Sequence, residues 1–255
     1  MIDAHCHIEQ DVYQKDRDQV IEKCKQAGIK AVVFSCARFR DLERSLRMVK
    51  KYKGYAFMCA GLHPEFIKEI TPETKKDFFE TVRRHSGETV AVGETGLDYN
   101  WTKESEWRER QKKLFVEMIE FAKELKKPLV VHARDAYLES VGILEKEKPG
   151  KVLMHMFGDE DLVERVVGNG WFISTNAIVL RSKNHRKIIK RAPLERILLE
   201  TDAPWLHPSG HGRNDPTTIK IVAEKIADLK KIPFEDVWLR CGRNAAEFFG
   251  LPVKL

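Results

Sequence analysis

Residues 1–7 read Met-Ile-Asp-Ala-His-Cys-His, an apolar run that ends in two histidines. Side chains of a strand point alternately to opposite faces, so His5 and His7 share one face and Asp3 lies behind them, while Cys6 faces the other way. Burying two neighbouring imidazoles is costly unless something neutralises or binds them, and a divalent metal ion does so. This stretch therefore predicts a strand that delivers metal ligands at its carboxyl end.

The same pattern of a short apolar run followed by a charged amphipathic stretch recurs along the chain. Several runs are nearly continuous in Val, Ile and Phe, as in strands buried on both faces. The runs are residues 1–7, 30–36, 55–62, 89–94, 128–133, 151–155, 171–175 and 196–202. Helices are predicted between them, including residues 18–27, 105–127, 216–230 and 234–249, with a further one starting at Thr71-Pro72.

Eight strands alternating with helices over 255 residues predict an α/β protein, a single (β/α)8 TIM barrel covering residues 1–255. A doubly wound open sheet is the alternative. The glycine-rich phosphate loop that often follows the first strand of such sheets is missing here. The barrel is therefore the preferred fold.

Strongly polar residues stand at the carboxyl ends of four further runs: Glu94, His132, His155 and Asp202. In a barrel these ends converge on the face that carries active sites. Together with His5 and His7 they make four histidines and two carboxylates from five strands. Core packing does not explain such a set, whereas the number and type of the side chains fit a catalytic metal site.

Composition narrows the class of protein. There is no uninterrupted apolar stretch long enough for a membrane span and no signal-peptide pattern. Five cysteines without a C-x-x-C pair argue against a disulfide scaffold and a zinc ribbon, and we expect reduced thiols in a cytoplasmic protein. The net charge of +6 is compatible with a polyanionic substrate, although most Lys and Arg are expected to solvate helix faces.

The motifs around these residues resemble those of the TatD family of metal-dependent deoxyribonucleases. The resemblance runs in order from residue 3 to Asn244 and places the chain among the amidohydrolase-like barrels. Its motifs are His5-x-His7, Gly61-Leu-His63-Pro64, Gly93-Glu-Thr-Gly-Leu-Asp98, His132-Ala-Arg134, His155-x-Phe157-x-Asp159, Glu200-Thr-Asp202-Ala-Pro204 and Arg213-Asn-Asp-Pro216. Asp159 and Glu65 depart from the family pattern, and both affect loops that concern substrate preference.

The resemblance implies two divalent ions and DNA as the substrate. One ion takes His5, His7, Glu94 and Asp202, and the other takes Glu94, His132 and His155, so that Glu94 bridges them. Donors of mixed nitrogen and oxygen type fit Zn, Mn, Mg, Co or Ni. Two carboxylates and four neutral imidazoles around two such ions leave a charge of about +2, which suits an anionic phosphodiester.

Further roles are assigned to individual side chains. Asp202 is the expected acid–base residue and acts in catalysis with Glu94. Arg134, two residues past His132, is a candidate phosphate clamp, with a salt bridge as the alternative. Arg213 and Asn214 lie in a loop after the eighth strand, where barrels often bind phosphate. We expect His63 to orient a ligand or the substrate. Glu200 is expected to point inward beside Asp202 as a supporting partner of the site, with a buried ion pair as the alternative.

Three functions stay open at this point. The first is a two-metal nuclease acting on DNA, and the second is a hydrolase of the same barrel class that acts on an amide, an ester or aminoacyl-tRNA. The third is a protein that binds metal without chemistry, against which the complete ligand set argues. The ligands do not separate the first two, because both chemistries use them. Nothing in the sequence indicates an oligomeric state.

Overall fold

All eight apolar runs form parallel strands in a computed structural model, which describes residues 1–255. Consecutive strands pair with one another from the first to the eighth, as in a (β/α)8 barrel, which confirms the predicted fold. The strands are β1 (Ile2–Cys6), β2 (Ala31–Cys36), β3 (Ala56–Ala60), β4 (Thr89–Asp98), β5 (Leu129–Arg134), β6 (Val152–Met154), β7 (Phe172–Thr175) and β8 (Ile197–Leu199).

The first and last strands meet along a seam made by the residues that follow β8. The backbone N–H of Asp202 donates to the carbonyl of His5 at 3.0 Å, and the N–H of His7 donates to the carbonyl of Ala203 at 2.6 Å. The buried carboxylate of Asp3 accepts from the backbone N–H and the hydroxyl of Thr201, at 3.1 and 2.5 Å. Asp3, predicted to lie behind the two histidines, thus ties the two ends of the barrel together.

Nine helices surround the strands: α1 (Arg17–Gln26), α2 (Leu42–Lys51), α3 (Pro72–Arg84), α4 (Ser105–Leu125), α5 (Tyr137–Glu147), α6 (Val163–Gly168), α7 (Lys183–Arg191), α8 (Ile219–Lys230) and α9 (Phe234–Phe249). Helix α3 starts where the sequence predicts, since the hydroxyl of Thr71 accepts from the N–H of Thr74 at 3.1 Å and Pro72 occupies the first turn. Helix α8 starts later than predicted, because Pro216–Thr218 form a 3-10 turn.

The core has two layers, one between barrel and helices and one inside the barrel. The outer layer is a cluster of 60 buried residues that joins strands to helices. The inner cluster combines strand residues such as Ala4, Val33 and Leu198 with Phe248 and Phe249 of α9. Helix α9 therefore covers the amino ends of the strands and leaves the carboxyl ends open.

Two β-bulges decide which side chains face the open end. In β1 the register against β2 shifts between Asp3 and Cys6, and in β4 the register against β5 shifts between Val92 and Thr95. An extra residue in a strand reverses the alternation beyond it. The inner cluster contains Ala4 and Ala91, and past each bulge His5 and Glu94 also turn inward.

Two further features bear on the sequence-based expectations. None of the helices combines the length and apolarity needed to cross a membrane. All five cysteines are buried and unpaired, and Cys6 lies in the outer cluster, away from the histidines on either side of it, as predicted.

Candidate metal centre

Six polar side chains meet at the open end of the barrel. They are His5 in β1 and His7 one residue past it, Glu94 in β4, His132 in β5, His155 one residue past β6, and Asp202 in the loop after β8. The structure thus brings together every residue that the sequence proposes as a metal ligand. His63, from the loop after β3, joins them.

The first group of donor atoms lies around Oε2 of Glu94. Nε2 of His5 is 3.3 Å from this oxygen and 3.2 Å from Nε2 of His7. Oδ1 of Asp202 is 3.4 Å from Nε2 of His7. Two atoms that each bind one tetrahedral ion at about 2.0–2.1 Å lie about 3.4 Å apart. The spacing of the first group is that of ligands sharing an ion.

The second group lies around the other oxygen of the same carboxylate. Oε1 of Glu94 is 2.9 Å from Nδ1 of His132, 3.6 Å from Nε2 of His155 and 3.4 Å from Nε2 of His63. Glu94 therefore directs one oxygen to each group of histidines. This is the placement expected of a carboxylate that bridges two ions.

Hydrogen bonds on the far side of three rings fix where their lone pairs point. Each far nitrogen faces an acceptor: Nδ1 of His7 the carbonyl of Ser35 at 3.1 Å, Nδ1 of His155 the Oε2 of Glu200 at 2.9 Å, and Nε2 of His132 the Oδ2 of Asp98 at 2.9 Å. A neutral ring that donates from one nitrogen offers a lone pair on the other. The nitrogen lone pairs of these rings then face the carboxylate oxygens. A cation between them would bind both kinds of donor and remove their mutual repulsion.

His63 has the opposite tautomer. Its Nδ1 accepts from the backbone N–H of Glu65 at 3.1 Å, so in the neutral ring the proton is on Nε2. Burial lowers the pKa of His63 and keeps the ring neutral, although the carboxylate of Glu94 acts in the other direction. His63 is therefore a hydrogen-bond donor towards Glu94 and not a source of a lone pair for an ion.

The charges of the site are strongly coupled. Burial alone would raise the pKa of Glu94, yet the nearby imidazoles of His63, His155 and His5 hold it well below its usual value. Burial likewise opposes the charge on His155, but Glu200 and Glu94 raise its pKa to about 10. The same competition, with Asp98 and Glu94 as the carboxylates, raises the pKa of His132 to about 9.

Glycines around Glu94 allow the strands to approach closely. Gly93 has φ +141°, and a Cβ there would lie 2.5 Å from the carbonyl oxygen of Val130. On the other side, a Cβ on Gly61 would lie 2.4 Å from the carbonyl oxygen of Glu94. Only glycine fits both positions, so the backbone of Glu94 is held between two neighbouring strands.

The predicted substrate-binding residues divide into two groups. Arg134 lies exposed at the end of β5, makes no salt bridge, and has its guanidinium 5.9 Å from the ring of Trp101. Arg213 is already engaged, because its guanidinium donates to both carboxylate oxygens of Asp16 and to the carbonyl of Val12. The loop that carries Arg213 is thus tied to the start of α1.

Asn214, predicted to bind substrate, is enclosed by the protein. The side chain is fully buried, and its amide donates to the carbonyls of Thr201 and Trp205 at 3.1 and 2.8 Å. Its oxygen accepts from the N–H of Asp215 and the hydroxyl of Thr218. With no surface and no free donor, Asn214 holds the loop after β8 in place.

Sequence reasoning missed three residues behind the ligands. Asp98 closes the motif Gly93–Asp98, in which nothing indicates its role, and it fixes the ring of His132. Ser35 lies beneath two ligands, since its hydroxyl accepts from the N–H of Glu94 at 3.1 Å and its carbonyl faces His7. Glu9 is buried, with Oε1 3.6 Å from Nδ1 of His7 and Oε2 unpartnered. A lone polar residue in an apolar run was the available signal for Ser35.

Glu200 forms a buried pair with His155. It is fully buried, bonds His155 through Oε2 and accepts from the amide of Asn176 through Oε1 at 3.0 Å. The sequence placed it beside Asp202. Glu200, which follows β8, therefore orients the histidine that follows β6, two strands away.

A (β/α)8 barrel with histidines and carboxylates gathered at the carboxyl ends of its strands defines the class of barrel-type metal-dependent hydrolases. Comparison with known proteins gives the family. The sequence model of TatD related DNase matches residues 2–250, and the chain belongs to this family.

Individual relatives cover almost the whole chain. The human protein named deoxyribonuclease TATDN3 is 32% identical over 98% of this chain and 94% of its own length. An uncharacterized metal-dependent hydrolase of Methanocaldococcus jannaschii is 33% identical over 97% of this chain and 96% of its own. The crystal structure of YjjV, a TatD homologue from Escherichia coli, superposes with a TM-score of 0.91 at 25% identity, covering 99% of this chain and 98% of that one.

Proposed function

We propose that this metal-dependent hydrolase cleaves phosphodiester bonds of DNA with two divalent ions held by one bridging carboxylate. The observation that carries the proposal is the orientation of Glu94, whose Oε2 faces Nε2 of His5 and whose Oε1 faces Nδ1 of His132. Membership of the TatD related DNase family and the name of the human relative support DNA as the substrate.

The donor set fits such ions. His5, His7, Glu94 and Asp202 would hold one, and Glu94, His132 and His155 would hold the other. Bound there, the pair of ions would polarise the phosphodiester and activate water. Nitrogen and carboxylate donors of this kind accept Zn, Mn, Co, Ni or Mg. The net charge of about +2 left by two carboxylates would attract an anionic substrate.

Asp202 is the carboxylate placed to move a proton. Its side chain is 14% exposed, compared with 3% for Glu94, so only Asp202 is open to water and substrate. Its Oδ1 contacts His5 and His7. We assign to Asp202 the acceptance of a proton from the attacking water and its return to the leaving oxygen. Glu94, enclosed between the two groups, serves to hold and position.

Two other side chains complete the proposed site. His63 donates from Nε2 towards Glu94, which orients the bridging carboxylate and leaves Glu94 fewer alternative positions. Arg134, with no carboxylate partner, is available to bind a phosphate of the substrate.

The deciding experiment is cleavage of single-stranded DNA by chelator-treated protein to which Mn, Zn, Co, Ni or Mg is returned singly. We expect cleavage only with added metal, and two ions per chain by elemental analysis in the active form. Absence of DNA cleavage with every metal, combined with hydrolysis of a model ester or amide, would replace the nuclease with the alternative hydrolase. A single ion at full activity would refute the two-metal arrangement.

A further inference from the structure

Several arginines of this protein stack on an aromatic ring, and two of these differ from the others because they donate no hydrogen bond to the protein. Seven arginines place the guanidinium over a ring: Arg38, Arg83, Arg108, Arg110, Arg134, Arg196 and Arg213. Five of these also donate to protein oxygens: Arg83 to Glu124, Arg108 to Thr102, Arg110 to Ile70, Arg196 to Gly170 and Arg213 to Asp16. Arg38 and Arg134 donate to none.

Arg38 makes the closer stack of the two unpaired side chains. Its guanidinium lies 3.6 Å from the ring centre of Phe66, a close stack that leaves the N–H groups at the edge of the plane free. Phe66 in turn packs on His63, with ring centres 5.8 Å apart. A continuous path of contacts therefore leads from Arg38 to His63, which faces Glu94.

Both arginines follow strands at the face that carries the metal centre. Arg38 comes two residues after β2, and Arg134 ends β5. Because strands follow one another around the barrel in sequence order, the ends of β3 and β4, with His63 and Glu94, lie between them. Trp101, the ring beneath Arg134, is 62% exposed and keeps a face open to solvent.

We propose that Arg38 on Phe66 and Arg134 on Trp101 bind two non-scissile phosphates of a single nucleic-acid strand that passes over Glu94. The proposal rests on the proposed nuclease function and names the form of its substrate. Arginine held flat by a ring presents a fixed edge of donors that matches phosphate oxygens, at little cost in side-chain entropy.

A single strand is favoured over a duplex by the aromatic surface. Trp101 offers an exposed ring on which an unpaired base stacks, which a paired base within a duplex does not reach. Because Arg38 follows β2 and Arg134 ends β5, on either side of β3 and β4, a strand that reaches both arginines passes over the site. The strand is consequently several nucleotides long, and a dinucleotide reaches only part of it.

Substrate length is the first test. For thymidine oligonucleotides of two and eight nucleotides, cleaved by metal-loaded protein, we compare kcat/KM. The ratio of the long to the short substrate should fall roughly 10-fold in Arg38→Ala through KM, as expected when a charge-assisted contact to a distant phosphate is lost. Arg38→Lys should recover only part of the ratio, because the ammonium keeps the charge without the flat stack. Equal losses on both lengths, or no loss, would overturn the proposal.

Binding without cleavage is the second test, and it separates this proposal from the nuclease function. Fluorescence anisotropy of labelled eight-nucleotide thymidine strand in chelator, over a series of salt concentrations, should show a slope of log K against log salt smaller by about 0.7 for each phosphate contact removed. Arg38→Ala and Arg134→Ala should each show that decrease. A smaller salt slope in these variants, without DNA cleavage by any form of the protein, would support the binding surface and reject the nuclease function. DNA cleavage with an unchanged salt slope would support the nuclease function and reject the binding surface.

Arg243→Ala is the matched control. Arg243 is exposed on α9, has no salt bridge and stacks on no ring. Its replacement by alanine therefore removes the same charge from a different part of the surface. It should leave the length ratio and the salt slope as in the unmodified protein. A decrease as large as that of Arg38→Ala would show that net charge alone is measured, and would overturn the proposal.

Discussion

Asp98 holds the ring of His132 from the side opposite Glu94. Its Oδ2 lies 2.9 Å from Nε2 of His132, and Nδ1 of the same ring lies 2.9 Å from Oε1 of Glu94. The other oxygen of Asp98 accepts from the backbone N–H groups of Asn100 and Trp101, so the carboxylate is itself fixed. Glu200 does the same for His155. Both histidines of the second group are thus backed by a carboxylate.

Removing the charge of either supporting carboxylate should weaken metal binding. Asp98→Asn and Glu200→Gln keep the shape of the side chain but make the imidazole less basic, and we expect metal affinity to fall about 10–100-fold. Competition with a chromogenic chelator measures it. Glu145→Gln, which changes an exposed partner of Arg165, is the control. Unchanged metal affinity in both variants would show that Asp98 and Glu200 do not support metal binding.

Glu94 and Asp202 look alike in sequence but should respond differently to neutralisation. Glu94→Gln should lower metal content and DNA cleavage together, because one side chain faces both groups of histidines. Asp202→Asn should keep most of the metal and lose about 10²–10⁴-fold in rate. Elemental analysis beside cleavage rates under saturating metal distinguishes them. Near-normal turnover of Asp202→Asn would show that the proton moves through another group.

Each group of ligands should lose its own ion when one histidine is removed. Protein prepared with Mn or Zn should hold up to two ions, and His5→Ala and His132→Ala should each lower that number. The hydrophobic core is large, with 60 buried residues in one cluster and 13 in the other, so chelator-treated protein should retain its far-ultraviolet circular dichroism and show only a lower Tm. Loss of secondary structure on chelation would mean that metal is needed for the fold.

Gly93 should tolerate no side chain. Gly93→Ala combines a positive φ, which costs about 1–3 kcal/mol for a residue with a Cβ, with a clash against Val130, so the free energy of unfolding and metal affinity should both fall. Gly142→Ala is the control: Gly142 lies in α5 with no atom near its Cβ position, and the change should stabilise by about 0.5–1 kcal/mol. Urea denaturation measures both. A stable, fully metal-binding Gly93→Ala would contradict the close approach.

The cysteines should be inert in the folded protein. Burial raises the pKa of every one of them, that of Cys241 to about 12. A thiol reagent at neutral pH should therefore label none of the five in the native state and all five in denaturant. Rapid labelling of a native cysteine would place that residue outside the core.

Much of the barrel could be predicted because apolar runs and their polar ends are local signals. The runs ending at Cys36 and Thr175 match β2 and β7 at their ends. The run ending at Glu94 is too short as predicted, since β4 continues to Asp98 and the polar residues Glu94, Thr95 and Asp98 are all buried. Buried polar residues in a strand end an apolar pattern without ending the strand.

Roles that depend on distant partners were beyond the sequence. Arg213 looks like a free cation in its own loop, and only the fold brings Asp16 to it. Asn214 looks like an exposed loop residue, yet the turn after β8 encloses it. Arg38 belongs to none of the sequence motifs, and its stack on Phe66 joins two different loops. The sequence shows which side chains are able to bind a metal ion. The hydrogen-bond partners of a side chain and its exposure depend on how distant segments pack together.

The seam between β1 and β8 has a consequence for synthesis on the ribosome. Asp3 and Thr201, which bond across it, are 198 positions apart, and His5 and Asp202 of the first ligand group are separated by almost as much of the chain. Glu94, His132 and His155 all emerge earlier than Asp202. A nascent chain can therefore assemble the second ligand group before the first, and acquires the complete pair only when the last strand has closed the circle.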